Sequence, residues 1–141
     1  MLYYDCIYDV VEEINAPDYE LGKYDEIWLI TRQIKPLKNN TNIPIKWVPD
    51  LAPTEKVFVW ARNLINNHSF SEEIFKTKYT PWYLLDLANN SEALILINFL
   101  KNTNKNICLC CYCRTDHLCH RKILKNLIDS LKNLPTVLSE A

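Results

Sequence analysis

Residues 107–124, ICLCCYCRTDHLCHRKIL, leave this chain few ways to fold. The first six, through Tyr112, form a short apolar run of the length and composition of a buried strand. From Cys119 or His120 onward the apolar positions fall at Ile123, Leu124, Leu127, Ile128 and Leu131, the spacing of one face of a helix that runs to Lys132. Residues 113–118 between them are a short polar loop. A strand that passes through a loop into a helix start brings the free N–H groups of the first turn over the strand end, together with about half a positive charge from the helix dipole. On that spot the sequence sets a thiol, an imidazole and a guanidinium: Cys119, His120 and Arg121.

The remaining segments can be placed around this one. Residues 2–10 alternate loosely and suggest an edge strand, although Tyr3, Ile7, Val10 and Ile14 also fit a helical stripe. Residues 15–24, with Pro17 and Gly22, form a loop. Residues 26–32, EIWLITR, suggest a buried central strand. Four prolines make residues 35–53 irregular, apart from a brief extended piece at 45–48; a connection this long is often functional. Thr54 is placed to cap a helix to about Asn66 with Val57, Phe58, Ala61, Leu64 and Ile65 inward. Ser71 caps the next, with Phe70 and Phe75 at the spacing of a hydrophobic staple, and Pro81 is expected to interrupt it after Tyr79. A helical piece at 82–87, a helix capped by Ser91 that runs to Lys101, and a turn at 102–106 lead into the strand at Ile107. Residues 133–141 suggest a loose tail. This order predicts one small α/β domain over residues 1–141, a partly parallel sheet flanked by helices. Ligands of such sheets sit outside the carboxyl ends of the strands, so Thr31 and Arg32 should share a pocket with residues 111–113.

Composition narrows the functional classes. With 141 residues the chain can bury roughly two-thirds of its unfolded surface and needs no disulfide staple. No apolar run approaches a membrane span, and the acidic start MLYYDCIYDVVEEI lacks the basic flank of a targeting peptide. A cytoplasmic setting is therefore expected, in which the six cysteines stay reduced and no membrane is a partner. Net charge is −1 but uneven: residues 1–26 carry eight acids against Lys23, and residues 101–125 carry six bases against Asp116. Such a field suits a small anionic ligand, whereas long nucleic acid usually meets a more basic domain. Gly22 is the only glycine, which excludes the glycine-rich phosphate loops; a phosphate site here must use arginines and helix ends. Oligomeric state leaves no signal.

Within the organising stretch, His120 falls near the centre of the inward helical stripe, so it is either a site residue or a hydrogen-bonded histidine buried beneath the site. Arg121, at the stripe's edge, can turn back toward the loop. Cys119 stands at a helix start among Arg114, His117, His120 and Arg121, where cations and the dipole favour thiolate, and it is expected to be the most reactive thiol. Cys108 and Cys110 share one face of the strand as small hydrophobes; Cys111 and Cys113 share the other. Cys111, Cys113 and Cys119 with His117 or His120 lack the paired CxxC spacing of a zinc site, so neither metal nor cofactor is expected. Seven residues and no glycine separate Cys113 from Arg121, which does not fit a phosphatase loop.

LCCYCRTDHLCHRKIL resembles the signature of the domain-of-unknown-function 488 family, in which a strand is followed by cysteine, a short loop and Cys-His-Arg at a helix start. ITR at residues 30–32, WVPDLAPTEKVF at 47–58 and the aromatic stretch through Phe75 and Tyr79 extend the resemblance over about residues 27–130. It carries over to Arg32, Pro53, Tyr79, Cys111, Cys119, His120 and Arg121. Many members have an acid where this chain has Cys113. The resemblance implies a fold and a pocket rather than a reaction. Few glycines and abundant Asn, Lys and Ile also suit an AT-rich genome, such as that of a phage or mobile element.

The expected function is binding of a small phosphate-bearing or nucleotide-like ligand, with Arg32, Arg121 and the helix start on the anion. Trp47 or Tyr79 would meet its aromatic part, Cys111 would line the pocket, and Cys119 or His120 would carry any catalysis. The alternatives are a nucleotide-sequestering protein without turnover and an interaction module with a structural cysteine cluster.

Overall fold

The computed structural model describes residues 1–35, 43–114 and 118–133. Four strands, β1 (Leu2–Cys6), β2 (Glu26–Leu29), β3 (Ile45–Trp47) and β4 (Ile107–Cys111), form one sheet in the order β1-β4-β2-β3. Every pairing is parallel, with Cys6 opposite Cys111 and Leu29 opposite Cys110. The central strands β2 and β4 are buried along their whole length, as continuous apolar runs with helices on both faces should be.

Helix α1 (Ile7–Asn15) covers one face of the sheet. Its Ile7 and Val10 pack with Ile27, Leu29, Cys108 and Cys110. The edge strand expected over residues 2–10 therefore stops at Cys6, and the helical stripe takes over without a loop. The Asp5 carboxylate accepts the Cys6 N–H at 2.7 Å at that junction, and the extended Cys6 is the N-cap residue.

The other face carries α2 (Glu55–Asn66), the short α3 (Glu72–Ile74), α4 (Thr80–Ala88), α5 (Ser91–Asn102) and α6 (His120–Lys132) over a core that includes Trp28, Ile30, Leu109, Tyr83 and Leu124. Pro81 does not end the helix before it. The π-helical turn Phe75–Tyr79, closed by the Thr80 N–H on the Phe75 carbonyl, joins α3 to α4, and Pro81 lies in the first turn of α4, where its missing N–H costs little. The staple forms, with Phe70 and Phe75 edge to face at 6.3 Å. Asn90 rather than Ser91 caps α5, accepting the Ala93 N–H at 3.2 Å. Thr54 precedes α2 but turns its hydroxyl to Asp86. No helix among the described residues is long and apolar enough to cross a membrane. The expected tail, apart from Asn133, and residues 36–42 of the long connection lie outside the described residues.

Candidate functional site

A cleft of about 450 Å³ opens at the carboxyl ends of β2 and β4, between the segment after β2, α2 and the start of α6. Its position follows from the parallel sheet: Ile30 N–H donates to the Cys110 carbonyl, so the chain after β2 and the chain after β4 leave the sheet side by side. Arg32, Tyr79, Cys111, Cys119 and His120 all line the cleft, joined by Cys113. Two expected residues do not. Trp47, at the end of β3, donates its Nε1–H to the Thr31 carbonyl at 2.8 Å and is not part of the lining. Arg121 lies beneath it, 3 % exposed, with Nη1 donating to Cys111 Sγ and to the Cys113 carbonyl, both at 3.2 Å. It turns back toward the loop as expected, but its guanidinium is spent on the strand end and does not meet Arg32 across the cleft.

Cys111, Cys113 and Cys119 bring their sulfur atoms within 4.8 Å of one another, with Cys111 and Cys119 at 3.2 Å. These are three donors of a type that suits a soft metal, one short of a closed tetrahedral shell among the described residues. His117, a candidate fourth donor, lies outside the described residues. All six cysteines are free thiols.

The expectation for Cys119 is reversed. It is the N-cap residue of α6, 2 % exposed, and its thiol is pushed up to about 12. Its contact with Cys111 lowers it, but the contact with Cys113 and burial outweigh that. Cys113, which is exposed, is held down at about 2 by hydrogen bonds from Cys111 and Cys119, with the Arg121 guanidinium adding to the effect. The same hydrogen bonding raises Cys111. Charge in the cluster thus collects on the sulfur that meets solvent, and helix-start chemistry acts one neighbour away from the residue that caps the helix.

His120 is buried as the helical stripe predicts. Its Nε2 lies 2.6 Å from the Ile30 carbonyl, an acceptor only, so Nε2 carries the proton and donates it. Nδ1 is then the lone-pair nitrogen, 3.8 Å from Cys119 Sγ. Burial keeps His120 below its usual pKa, and the ring stays neutral. An aromatic series holds it from behind: Phe75, Tyr79, Tyr83 and His120 follow one another at centroid separations of 5.5, 6.4 and 5.6 Å. The Tyr83 hydroxyl anchors the series by donating to the Leu51 carbonyl at 2.7 Å.

Arg32 is clamped, with Nε donating to the Pro53 carbonyl at 2.9 Å and Nη2 to the Pro49 carbonyl at 2.8 Å. Nη1 has no partner among the described residues. Two more cations line the cleft that the sequence reading did not single out, Lys35 and Arg62. Arg62 lies over the Phe58 ring at 5.2 Å, and Lys35 over the Tyr112 ring at 4.8 Å. The signal for Arg62 was present, since Phe58, Ala61, Arg62 and Ile65 share one face of α2. Lys35 carries no such periodicity.

Leu118, just before the cap, has φ of +59°, a left-handed conformation that a side chain of this size rarely takes. It separates this cleft from a second groove between α3, α4 and α6.

Comparison with curated proteins and with solved structures gave no match. The family described as "Active DUF488-N3 subclade" matches over residues 11–132, which takes in the sheet's central strands and every residue of the cleft. With most of its length matched, and with Cys111, Cys113, Cys119, His120 and Arg121 drawn together at one strand end, the chain belongs to the DUF488 family.

Proposed function

We propose that the cleft binds a small phosphate-bearing or nucleotide-like ligand. One observation carries this reading. Arg32, Lys35 and Arg62 line the cleft, no carboxylate does so among the described residues, and none of the three is in an ion pair there. Three cations gathered in a concave site with no carboxylate to pair them raise the local concentration of anions. Phe58, Phe70, Ile65 and Tyr79 supply an apolar wall for the body of the ligand. In this reading Arg32, held in its fork by two carbonyls, is the pre-oriented anion contact. Arg121 acts through Cys111 and Cys113 rather than by touching the ligand, and Trp47 has no role.

The matched subclade is described as active, which favours turnover over sequestration. Cys113 then replaces Cys119 as the accessible thiol. A cytoplasmic setting fits an open cluster of free thiols. The test is a thermal-shift titration with inorganic phosphate, nucleoside monophosphates and the matching nucleosides. Specific binding raises the melting temperature with concentration by mass action. The expected ranking is nucleotide above phosphate above nucleoside. Equal shifts for nucleotide and nucleoside would remove the anion from the reading. Turnover of the best ligand would separate an enzyme from a sequestering protein.

A further inference from the structure

Three sulfurs in mutual reach serve no purpose in binding an anion. Cys113 is exposed in the cleft, while Cys111 and Cys119 lie behind it at 1 % and 2 % exposure. All three sulfur atoms fall within 4.8 Å of one another. The other close pair of thiols in the chain, Cys108 and Cys110 at 3.5 Å, is sealed between the sheet and α1 with no exposed neighbour. One accessible sulfur backed by buried ones is the arrangement of an attacking thiol and its resolving partner.

We propose that Cys113 is an oxidisable thiol that reacts with hydroperoxides, and that Cys119 resolves it to an intramolecular disulfide. In the first step the Cys113 sulfur attacks one oxygen of the hydroperoxide. An S–O bond forms, the O–O bond breaks, and the leaving hydroxide or alkoxide takes a proton to become water or alcohol. Cys113 is now a sulfenic acid. In the second step the Cys119 sulfur attacks the Cys113 sulfur. An S–S bond forms, the S–O bond breaks, and the departing hydroxide leaves as water with the proton Cys119 gives up. Two thiols lose two electrons in total, and the hydroperoxide gains them.

The surroundings fit both steps. Cys113 opens into the cleft with the sulfurs of Cys111 and Cys119 within 4.8 Å, and Arg121 Nη1 donates to the Cys113 carbonyl at 3.2 Å. The lone pair of His120 Nδ1, 3.8 Å from the Cys119 sulfur, is placed to take the Cys119 proton and pass it to the departing hydroxide. Cys119 rather than Cys111 is the resolver: a bond from Cys113 to Cys111 would close across a single intervening residue, whereas Cys119 comes from a separate element. None of this depends on what else the cleft binds.

The experiment treats the whole protein with a slight excess of hydrogen peroxide at neutral pH, blocks remaining thiols and maps tryptic peptides. Trypsin separates residues 106–114, which hold Cys108, Cys110, Cys111 and Cys113, from residues 115–121, which hold only Cys119. The expected result is one disulfide joining these two peptides, reversed by dithiothreitol. Cys113→Ser should form it at least about tenfold more slowly, since the exposed thiolate is gone. Cys119→Ser should leave a sulfenic acid on Cys113, captured by dimedone. The wild-type map stands even if a variant folds poorly. Oxidation that begins at Cys6, Cys108 or Cys110 would overturn the proposal. So would a disulfide that forms at the same rate in Cys113→Ser, or Cys113 that goes to sulfinic acid with Cys119 still reduced.

Discussion

The two ends of the sheet are built on opposite electrostatic plans. At the amino end the acids that begin β2 and precede it are paired. Glu26, 6 % exposed, accepts from Lys46 at 2.5 Å, from Lys105 at 2.9 Å and from Trp28 Nε1 at 3.0 Å. Asp25 accepts the Asn106 N–H at 2.8 Å, which ties β2 to β4. At the carboxyl end three cations face a cleft with no acid among the described residues, and Nε of Arg121 is buried with no partner there. Both ends have the same parallel strands. The paired end closes the fold, whereas the cleft at the other end holds cations with no carboxylate against them among the described residues.

Four measurements would break or sharpen this contrast, and the largest effect is expected from Arg121→Ala. It removes a buried side chain together with its hydrogen bonds to Cys111 and Cys113, and denaturant unfolding should show a loss of about 3 kcal/mol. A loss under about 1 kcal/mol, as is usual for surface changes, would mean that Arg121 is not holding the strand end. Next is Glu26→Ala, which leaves the buried Trp28 N–H unsatisfied but frees two lysines that are already more than half exposed. About 2 kcal/mol should be lost, with ligand-induced thermal shifts unchanged. If binding weakened as well, the two ends would not be independent.

Arg62→Glu is the converse. It puts an acid into the cleft wall and should weaken binding of a phosphate-bearing ligand about tenfold, while stability moves by no more than about 0.5 kcal/mol. Unchanged affinity would place the anion elsewhere. The smallest effect is in pH. His120 titrates below its usual 6.5 in the fold, so the unfolded chain takes up a proton that the folded one refuses, and stability falls as pH drops below about 6.5. Glu26 is held at about 2, by Lys46 first and then by Trp28 and Lys105, against 4.5 unpaired, so its contribution is lost only as pH falls from about 4.5 toward 2. Two separate phases should appear in the denaturant midpoint. His120→Gln, which keeps a donor for the Ile30 carbonyl, should remove the upper one alone. An upper phase that persists unchanged in His120→Gln would show that His120 is not its source.

The cysteines repeat the contrast on a smaller scale. Cys108 and Cys110 are as close to each other as many reactive pairs, yet they are inert hydrophobes by position, facing Ile7, Val10 and Tyr24. Cys111 and Cys119 are slightly closer and have an exposed third sulfur, a guanidinium and an imidazole around them. Access and neighbours, rather than separation, distinguish the two groups.

The sequence by itself determined the strand at Ile107, the helix from His120, the buried run after Glu26 and the α/β class, because the spacing of apolar residues is local and is written directly in the chain. It also determined that His120 is inward and that Arg32 and Cys111 meet at adjacent strand ends. Only the tertiary structure decided which thiol bears the charge. Cys119 and Cys113 flank the same loop, but one is pressed between Cys111 and the helix start while the other meets solvent, and a pKa depends on burial and on neighbours from other elements. The tertiary structure likewise set Arg121 under the cleft and Lys35 in its wall. Where a side chain at the edge of a helical stripe or in a loop comes to rest depends on what packs against it from the rest of the chain, and no local pattern records that.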